Sequence, residues 1–125
     1  MYFKIQRDSG TPIFEQIKRK IKDMIASGKL KEGDTLPSVR SLAKILKVNV
    51  NTVVRAYREL ELEGYVEGRW GLGYVVKGSL KKEKWLEEKR RDFQNFVREL
   101  LEYGIDIDIL RRWLEEIGGD EDDGG

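Results

Sequence analysis

The chain contains no cysteine and no histidine, and only two of its 125 residues are proline. Without cysteine it can form neither a disulfide nor a catalytic thiolate, and without histidine it lacks the commonest general base and metal ligand. We therefore predict no catalytic residues, no metal site and no cofactor. These absences exclude most hydrolytic and zinc-dependent enzymes.

Long apolar runs are also lacking. No segment approaches the roughly 18 apolar residues that cross a bilayer, and the first residues, MYFKIQRD, do not resemble the apolar region of a signal peptide. We expect a cytoplasmic protein. The length fits one ordinary domain, or a small domain with an appendage, and the 38% of charged residues indicate a very polar surface.

Charge is distributed unevenly along the chain. Residues 1–78 carry 15 Lys and Arg against 9 Asp and Glu, a net charge of +6, whereas residues 79–125 carry 9 against 14, a net charge of −5. A segregated positive segment is typical of a surface that binds phosphate. A lysine-rich face in contact with solvent gives the same count, so charge alone leaves both interpretations open.

The clearest helical pattern runs from Asn49 to Glu63. Its apolar residues recur at spacings of three and four, which indicates one buried face: Val53, Ala56, Tyr57 and Leu60. Asn49 is a favourable N-cap residue, and Gly64 ends the pattern. The outer face near the N-terminal end presents Asn51, Thr52, Val54 and Arg55.

These outer residues match the edges of DNA bases. Asn can pair with adenine, Arg with guanine and Thr with phosphate or a base edge, while an apolar side chain can contact a thymine methyl group. A second apolar stripe precedes them in Ser38–Leu46, and a turn of about three residues joins the two helices, as in helix-turn-helix units. We predict that Asn49–Glu63 is a recognition helix.

Two basic residues stand close to this turn. Arg40 lies in the first turn of the Ser38–Leu46 helix, where it can meet a phosphate or a base edge; an ion pair with Glu59 or Glu63 is the alternative. Lys47 occupies the turn itself, where glycine would best tolerate a left-handed backbone, at a cost on the order of 1 kcal/mol if that conformation is adopted.

An earlier helix is predicted from Pro12 to Ser27. Its apolar stripe is Ile13, Phe14, Ile17, Ile21, Met24 and Ile25, and its other face carries Lys18, Arg19, Lys20 and Lys22. We predict that this helix packs in the core with a solvated basic face, and contacts of that face with DNA phosphates remain open. Before it, Tyr2–Ile5 alternates weakly, as in a short strand.

Two β-prone runs follow the recognition helix, Tyr65–Glu67 and Gly73–Val76. The glycine-bounded turn between them predicts a hairpin, which in this position is the wing of a winged helix. Arg69 at its tip can enter the minor groove, and Gly71 and Gly73 permit close approach to phosphate. Trp70 either contacts DNA or packs against the domain.

The run from Gly28 to Val76 closely resembles the winged helix-turn-helix domain of the GntR family of bacterial transcription regulators. The resemblance is carried by Gly28, Leu30, Gly33-Asp34, Leu36-Pro37-Ser38-Val39-Arg40, Leu42-Ala43, Val48-Asn49, Thr52-Val53, Ala56-Tyr57, Leu60, Gly64, Gly71 and Gly73. The Val-Asn pair, the Ala-Tyr-Arg-Glu-Leu-Glu run and the short C-terminal segment are most similar to the YtrA-like subgroup.

The resemblance implies a homodimer that binds double-stranded DNA at a palindromic operator, usually as a repressor. Contacts would come from Arg40, from the start of the recognition helix and from the wing. The candidate DNA-binding residues are Arg40, Asn49, Val50, Asn51, Thr52, Val54, Arg55, Arg69, Trp70, Gly71 and Gly73. Two positions depart from the family, Lys47 where glycine is common and Val54 where many members have arginine or another polar residue, so base preference does not transfer from relatives.

The C-terminal segment predicts two helices, one from Ser79 to about Tyr103 and one that Asp106 or Asp108 caps. We predict that they form the dimer interface through Trp85, Leu86, Phe93, Phe96, Val97, Leu100, Leu110, Trp113 and Leu114. The alternative is a segment that folds back on its own winged domain, leaving a monomer. The acidic, glycine-rich ending is predicted to be disordered.

The predicted fold is mostly α with a small β-wing: a winged helix-turn-helix domain at residues 1–78, a two-helix dimerisation segment at 79–117 and a tail at 118–125. One rival function is a winged-helix module that binds a protein and no specific DNA. An enzyme is not expected, because about 45 residues cannot enclose the large cofactor-dependent domain that some GntR-type proteins carry.

Overall fold

The computed structural model describes residues 1–77 and 82–124, with the backbone alone for residues 120–124. In this part of the chain the elements are α1 (Ile13–Ala26), α2 (Val39–Leu46), α3 (Val50–Leu62), β1 (Val66–Arg69), β2 (Gly73–Val76), α4 (Lys82–Glu102) and α5 (Ile107–Gly124). The residues divide into two compact units, Met1–Trp85 and Leu86–Gly125. The predicted boundary between residues 78 and 79, and the predicted helix start at Ser79, lie outside the described residues.

Side-chain caps define the starts of α2 and α3. The Ser38 hydroxyl accepts a hydrogen bond from the Ser41 N–H at 3.1 Å, and Asn49 Oδ1 accepts one from the Asn51 N–H at 2.8 Å. Each cap satisfies a backbone donor that has no partner within the helix. The predicted helix-turn-helix is confirmed, with the capping residues flanking the helices.

The turn between α2 and α3 is left-handed at Lys47, with φ 57° and ψ 50°. The conformation that the sequence raised as a possibility is therefore present. Arg7 donates hydrogen bonds from Nη2 to the carbonyl oxygens of Leu46 at 3.3 Å and Lys47 at 2.8 Å. A cation at a helix C-terminus also interacts favourably with the helix dipole, so Arg7 stabilises the end of α2.

Tyr57 lies at the centre of the first unit, wholly buried on α3. Its hydroxyl donates to the Pro37 carbonyl at 2.8 Å, and its ring meets Tyr74 edge to face at 5.2 Å. Burial raises the pKa of the Tyr57 hydroxyl, which stays protonated and able to donate. Tyr57 thus ties the recognition helix to the segment before α2 and to the wing.

β1 and β2 form the predicted antiparallel hairpin, with Val66 opposite Val76 and Arg69 opposite Gly73. The loop needs positive φ angles of 80° at Gly71 and 82° at Gly73, which glycine adopts without steric cost. The Leu36 N–H donates to the Tyr74 carbonyl at 2.8 Å, so backbone bonds join the wing to the segment that leads into α2.

The first residues form no strand, and the predicted strand at Tyr2–Ile5 is wrong. Phe3 and Ile5 do pack against the core, as their alternation suggested. The neighbouring backbone is held by a side chain: the Gln6 N–H donates to Gln16 Oε1, and Gln16 Nε2 donates to the Gln6 carbonyl, both at 2.8 Å. An amide side chain on α1 takes the place of a neighbouring strand.

In the second unit, Gly104 ends α4 with a φ of 89°, and Asp106 caps α5 by accepting from the Ile109 N–H at 3.0 Å. α5 continues to Gly124, so the backbone of residues 118–124 is helical where the sequence predicts a disordered tail. Extending a helix costs far less than starting one, and no proline interrupts this segment. No described helix is long and apolar enough to cross a membrane.

Candidate nucleic-acid interface

The start of α3 exposes much of the predicted reading surface. Asn49 and Asn51 are exposed, Val50 is 40% exposed, and Thr52 and Val54 are half-buried. Because Asn49 Oδ1 accepts the capping hydrogen bond, its Nδ2 hydrogens are the donors that remain for an external partner. The exposed surface of the first turn of α3 therefore combines polar amides with an apolar valine and carries no charge.

Arg55, the predicted guanine reader, is held in place by two contacts. Its guanidinium lies over the Phe14 ring at 3.6 Å from the centroid, and its Nε donates to Glu59 Oε2 at 3.0 Å. The side chain nevertheless remains 63% exposed. The structure places Arg55 on the side of α3 that faces α1.

Two lysines of α1 are buried, and the predicted solvated basic face is wrong for them. Lys18 Nζ lies 2.7 Å from Glu63 Oε2 and 3.0 Å from Glu59 Oε1, and Lys22 Nζ lies 2.9 Å from Glu63 Oε1. Lys22 also lies over the Tyr65 ring at 5.0 Å. Arg19 and Lys20 are exposed as predicted.

The matched spacing explains this cluster. Lys18 and Lys22 are four residues apart on α1, as are Glu59 and Glu63 on α3, so two helices packed side by side bring both pairs together. A lysine can enter such an interface when a carboxylate meets its charge. The equal spacing is the signal present in the sequence, but the packing of α1 against α3 decides that these two pairs meet.

Lys18, Glu59 and Glu63 are ionised at neutral pH. Burial lowers the pKa of Lys18, but hydrogen bonds to Glu63 and Glu59 outweigh it and the pKa is raised overall. The bond from Lys18 lowers the pKa of Glu59. Burial raises the pKa of Glu63, and the bonds from Lys18 and Lys22 more than reverse this, leaving it lowered.

Arg40 is exposed in the first turn of α2 and pairs with no described residue. The alternative ion pair with Glu59 or Glu63 is not formed, because these carboxylates bind Lys18, Lys22 and Arg55. The sequence interpretation also missed Arg58, which is exposed one turn beyond Val54 and pairs with no described residue. Its i+4 spacing from Val54 is the signal that could have identified it.

The wing tip is open to solvent. Trp70 is fully exposed and does not pack against the domain, while Arg69 approaches Glu67 only at 3.5 Å. The Gly68 N–H donates to Glu61 Oε2 at 2.7 Å, which fastens β1 to α3. The hairpin therefore presents Arg69, Trp70, Gly71 and Gly73 outward from a braced base.

The residues predicted for dimerisation divide into two groups. Trp85 belongs to the first unit, where its Nε1 donates to Asp23 Oδ1 on α1 at 2.8 Å. In the second unit the apolar side chains of α4 and α5 are exposed or half-buried: Leu86, Phe93, Phe96, Val97, Leu100, Leu110, Trp113 and Leu114. None of the α4 residues is buried within the described structure.

A helix-turn-helix braced against a two-stranded wing, with polar and basic side chains exposed at the start of its second helix, defines a winged-helix DNA-binding protein. The family model of bacterial regulatory proteins, gntR family, matches residues 13–76. The chain belongs to this family, whose members are DNA-binding transcription regulators. The resemblance and fold predicted from sequence are confirmed.

Similarity to individual proteins extends beyond the winged domain. The HTH-type transcriptional repressor YtrA of Bacillus subtilis (strain 168) is 39% identical over 116 residues, covering 90% of this chain and 88% of that protein. A GntR family regulator from Listeria monocytogenes has a TM-score of 0.74 at 32% identity, covering 87% of this chain and 97% of that one. YtrA from Sulfolobus acidocaldarius, a GntR-family transcription factor, has a TM-score of 0.59 at 35% identity, covering 94% and 97%.

Proposed function

We propose that this chain is a sequence-specific repressor that binds a palindromic operator as a homodimer in the cytoplasm. The observation that carries the proposal is the exposed start of α3, together with exposed arginines on the neighbouring elements, Arg40 on α2 and Arg69 on the wing. The repressor named among the relatives supports the direction of regulation.

The first turns of α3 read bases in the major groove. Asn51 pairs with adenine, Val50 and Val54 contact thymine methyl groups, and Thr52 binds a phosphate or a base edge. Val50 and Val54 are four residues apart and therefore share one helix face. Arg55 supplies the guanine contact. A good bidentate pair of this kind contributes about 1 to 3 kcal/mol of discrimination against the wrong base.

Other residues position the protein on the duplex. Arg40 and the Asn49 amide bind phosphates beside the groove, and Arg58 extends this contact along α3. Arg69 enters the minor groove, where Trp70 packs on the sugar edges. Gly71 and Gly73 allow the wing backbone to come close to phosphate, since neither has a side chain to obstruct it.

The second unit forms the dimer. Exposed large apolar side chains on α4 and α5, including Phe93, Phe96 and Trp113, mark an association surface rather than a solvated one. A two-fold interface covers the same patch on both copies. It also sets the two α3 helices about 34 Å apart, the distance between successive major grooves on one face of the duplex.

An unbiased selection from random duplexes with the purified chain tests this function. Enrichment of an inverted repeat, with half-sites about one helical turn apart, is the expected result. No enrichment would instead favour a winged-helix module that binds protein. An enriched single half-site without symmetry would support DNA reading and refute the dimer.

A further inference from the structure

We propose that Phe14 and Glu59 are positioning residues that hold Arg55 as a pre-formed guanidinium fork for DNA. Phe14 belongs to α1 rather than to the reading helix, and no motif assigns it a part in recognition. The inference rests on the proposed function and adds a second layer of residues behind the reading surface.

The geometry leaves the useful edge of Arg55 free. The guanidinium carbon of Arg55 lies 3.6 Å from the centroid of the Phe14 ring, which covers one face, and Glu59 Oε2 accepts a hydrogen bond from Nε at 3.0 Å. Of the five N–H donors of a guanidinium, the four on the two Nη atoms bond to no described residue. These are the donors that meet O6 and N7 of guanine, or two oxygens of a phosphate, as a pair.

The support for Arg55 reaches into the core. Glu59 is itself held by Lys18, with Nζ 3.0 Å from Glu59 Oε1, and Lys18 is buried between α1 and α3. Phe14 packs against the same core. Both contacts on Arg55 are thus anchored to the interior, which fixes the direction of the guanidinium relative to α3.

Holding Arg55 in advance favours binding. A free arginine side chain has many rotamers and loses them when it contacts DNA, whereas a stacked and hydrogen-bonded one has little left to lose. The stacking is a cation–π contact, which requires an aromatic face that leucine does not provide. Replacing the ring should therefore weaken specific binding through Arg55 while the domain still folds.

A double-mutant cycle with the full chain tests this inference on a duplex taken from the selection and on a scrambled duplex of equal length. Arg55→Ala should weaken binding to the selected duplex by about tenfold. Phe14→Leu should weaken it by about threefold, Phe14→Tyr should retain binding because it keeps the ring, and none of the three should change binding to the scrambled duplex by more than a small factor. In the Arg55→Ala background, Phe14→Leu should have no further effect.

Core packing alone predicts a different pattern. If Phe14 matters only for folding, Phe14→Leu should reduce affinity by the same factor with or without Arg55→Ala, and equally for both duplexes. That result would overturn the inference. An undiminished affinity of Arg55→Ala for the selected duplex would overturn it as well. Should Phe14→Leu fail to fold by circular dichroism, Glu59→Gln completes the same cycle through the other contact. A wild-type chain that selects no duplex refutes the proposed function instead, so the two failures are distinguishable.

Discussion

At the scale of the residue, Lys47 bears the clearest local strain. Lys47 is the one described non-glycine residue with a positive φ, and it lies in the turn between α2 and α3. Lys47→Gly should raise the free energy of unfolding by about 0.5 to 1 kcal/mol, since the left-handed penalty is removed and part of the gain is offset by the flexibility of glycine in the unfolded chain. Urea unfolding measures this. Lys47→Ala is the control, and equal stability of the two variants would contradict the account.

The lysine and glutamate cluster between α1 and α3 gives stability a pH dependence with a known sign. The pKa values of Glu59 and Glu63 are lowered from 4.5 in the folded chain. As the pH falls below 4.5, the unfolded chain therefore binds more protons than the folded chain does. Stability should therefore be complete above pH 4.5 and fall as the pH decreases through the folded values. Unfolding at several pH values tests this.

The same cluster acts in the opposite direction at alkaline pH. Lys18 has a pKa raised above 10.5 on folding, so its contribution to stability is complete below that pH and is lost as the pH rises through the folded value.

Glu63→Gln should flatten the acid dependence of stability, whereas Glu32→Gln in an exposed turn should leave it unchanged. An acid profile that Glu63→Gln does not alter would mean that the cluster contributes little.

Among the secondary-structure elements, the wing is fixed at its base by hydrogen bonds and is exposed to solvent at its tip. Glu61 and the segment before α2 hold it, while Arg69 and Trp70 face solvent. Arg69→Ala should weaken binding to all duplexes and reduce the slope of log affinity against log salt by about one phosphate contact. Lys29→Ala, in the loop after α1, is the matched control. If Arg69→Ala leaves both affinity and slope unchanged, the wing does not touch DNA.

Helices α1, α2 and α3 and the hairpin could be predicted because each carries its own signal: apolar spacing, caps such as Ser38 and Asn49, and glycines at the turns. The N-terminal segment could not, because Gln16 and Arg7 hold it and its neighbours through bonds between distant residues. Burial of Lys18 was missed for the same reason: one helix considered alone shows a basic face, and its partner carboxylates appear only when α3 is placed beside it.

For the interface, residue types indicated which side chains can meet bases but not how they are held. The exposure of Asn51 and Arg55 follows from helical periodicity alone. The stacking of Arg55 on Phe14 depends on how α1 crosses α3, which no local pattern encodes. The assignment of Trp85 to the second unit failed likewise, because its partner Asp23 lies 62 residues earlier.

For the whole molecule, binding to a palindromic operator requires two copies of the chain. Replacing Phe93 and Leu100 with Asp places charge on the apolar surface of α4, and the variant should sediment as a monomer with a folded winged domain. It should lose far more affinity for the operator than for scrambled DNA. Leu62→Asp changes an equally apolar, more exposed residue on α3 and should remain dimeric. A wild-type chain that is monomeric at micromolar concentration would end the dimer proposal.

We propose above all that the exposed start of α3 reads a DNA sequence. The most direct test of this proposal is the dissociation constant of the wild-type chain for a selected duplex and for a scrambled duplex of equal length, measured in the same salt. We expect binding to the selected duplex to be at least about a thousandfold tighter, the lower end of the range for specific regulators. Equal dissociation constants, with the same salt dependence, would show that the chain binds phosphates alone and would contradict the proposal.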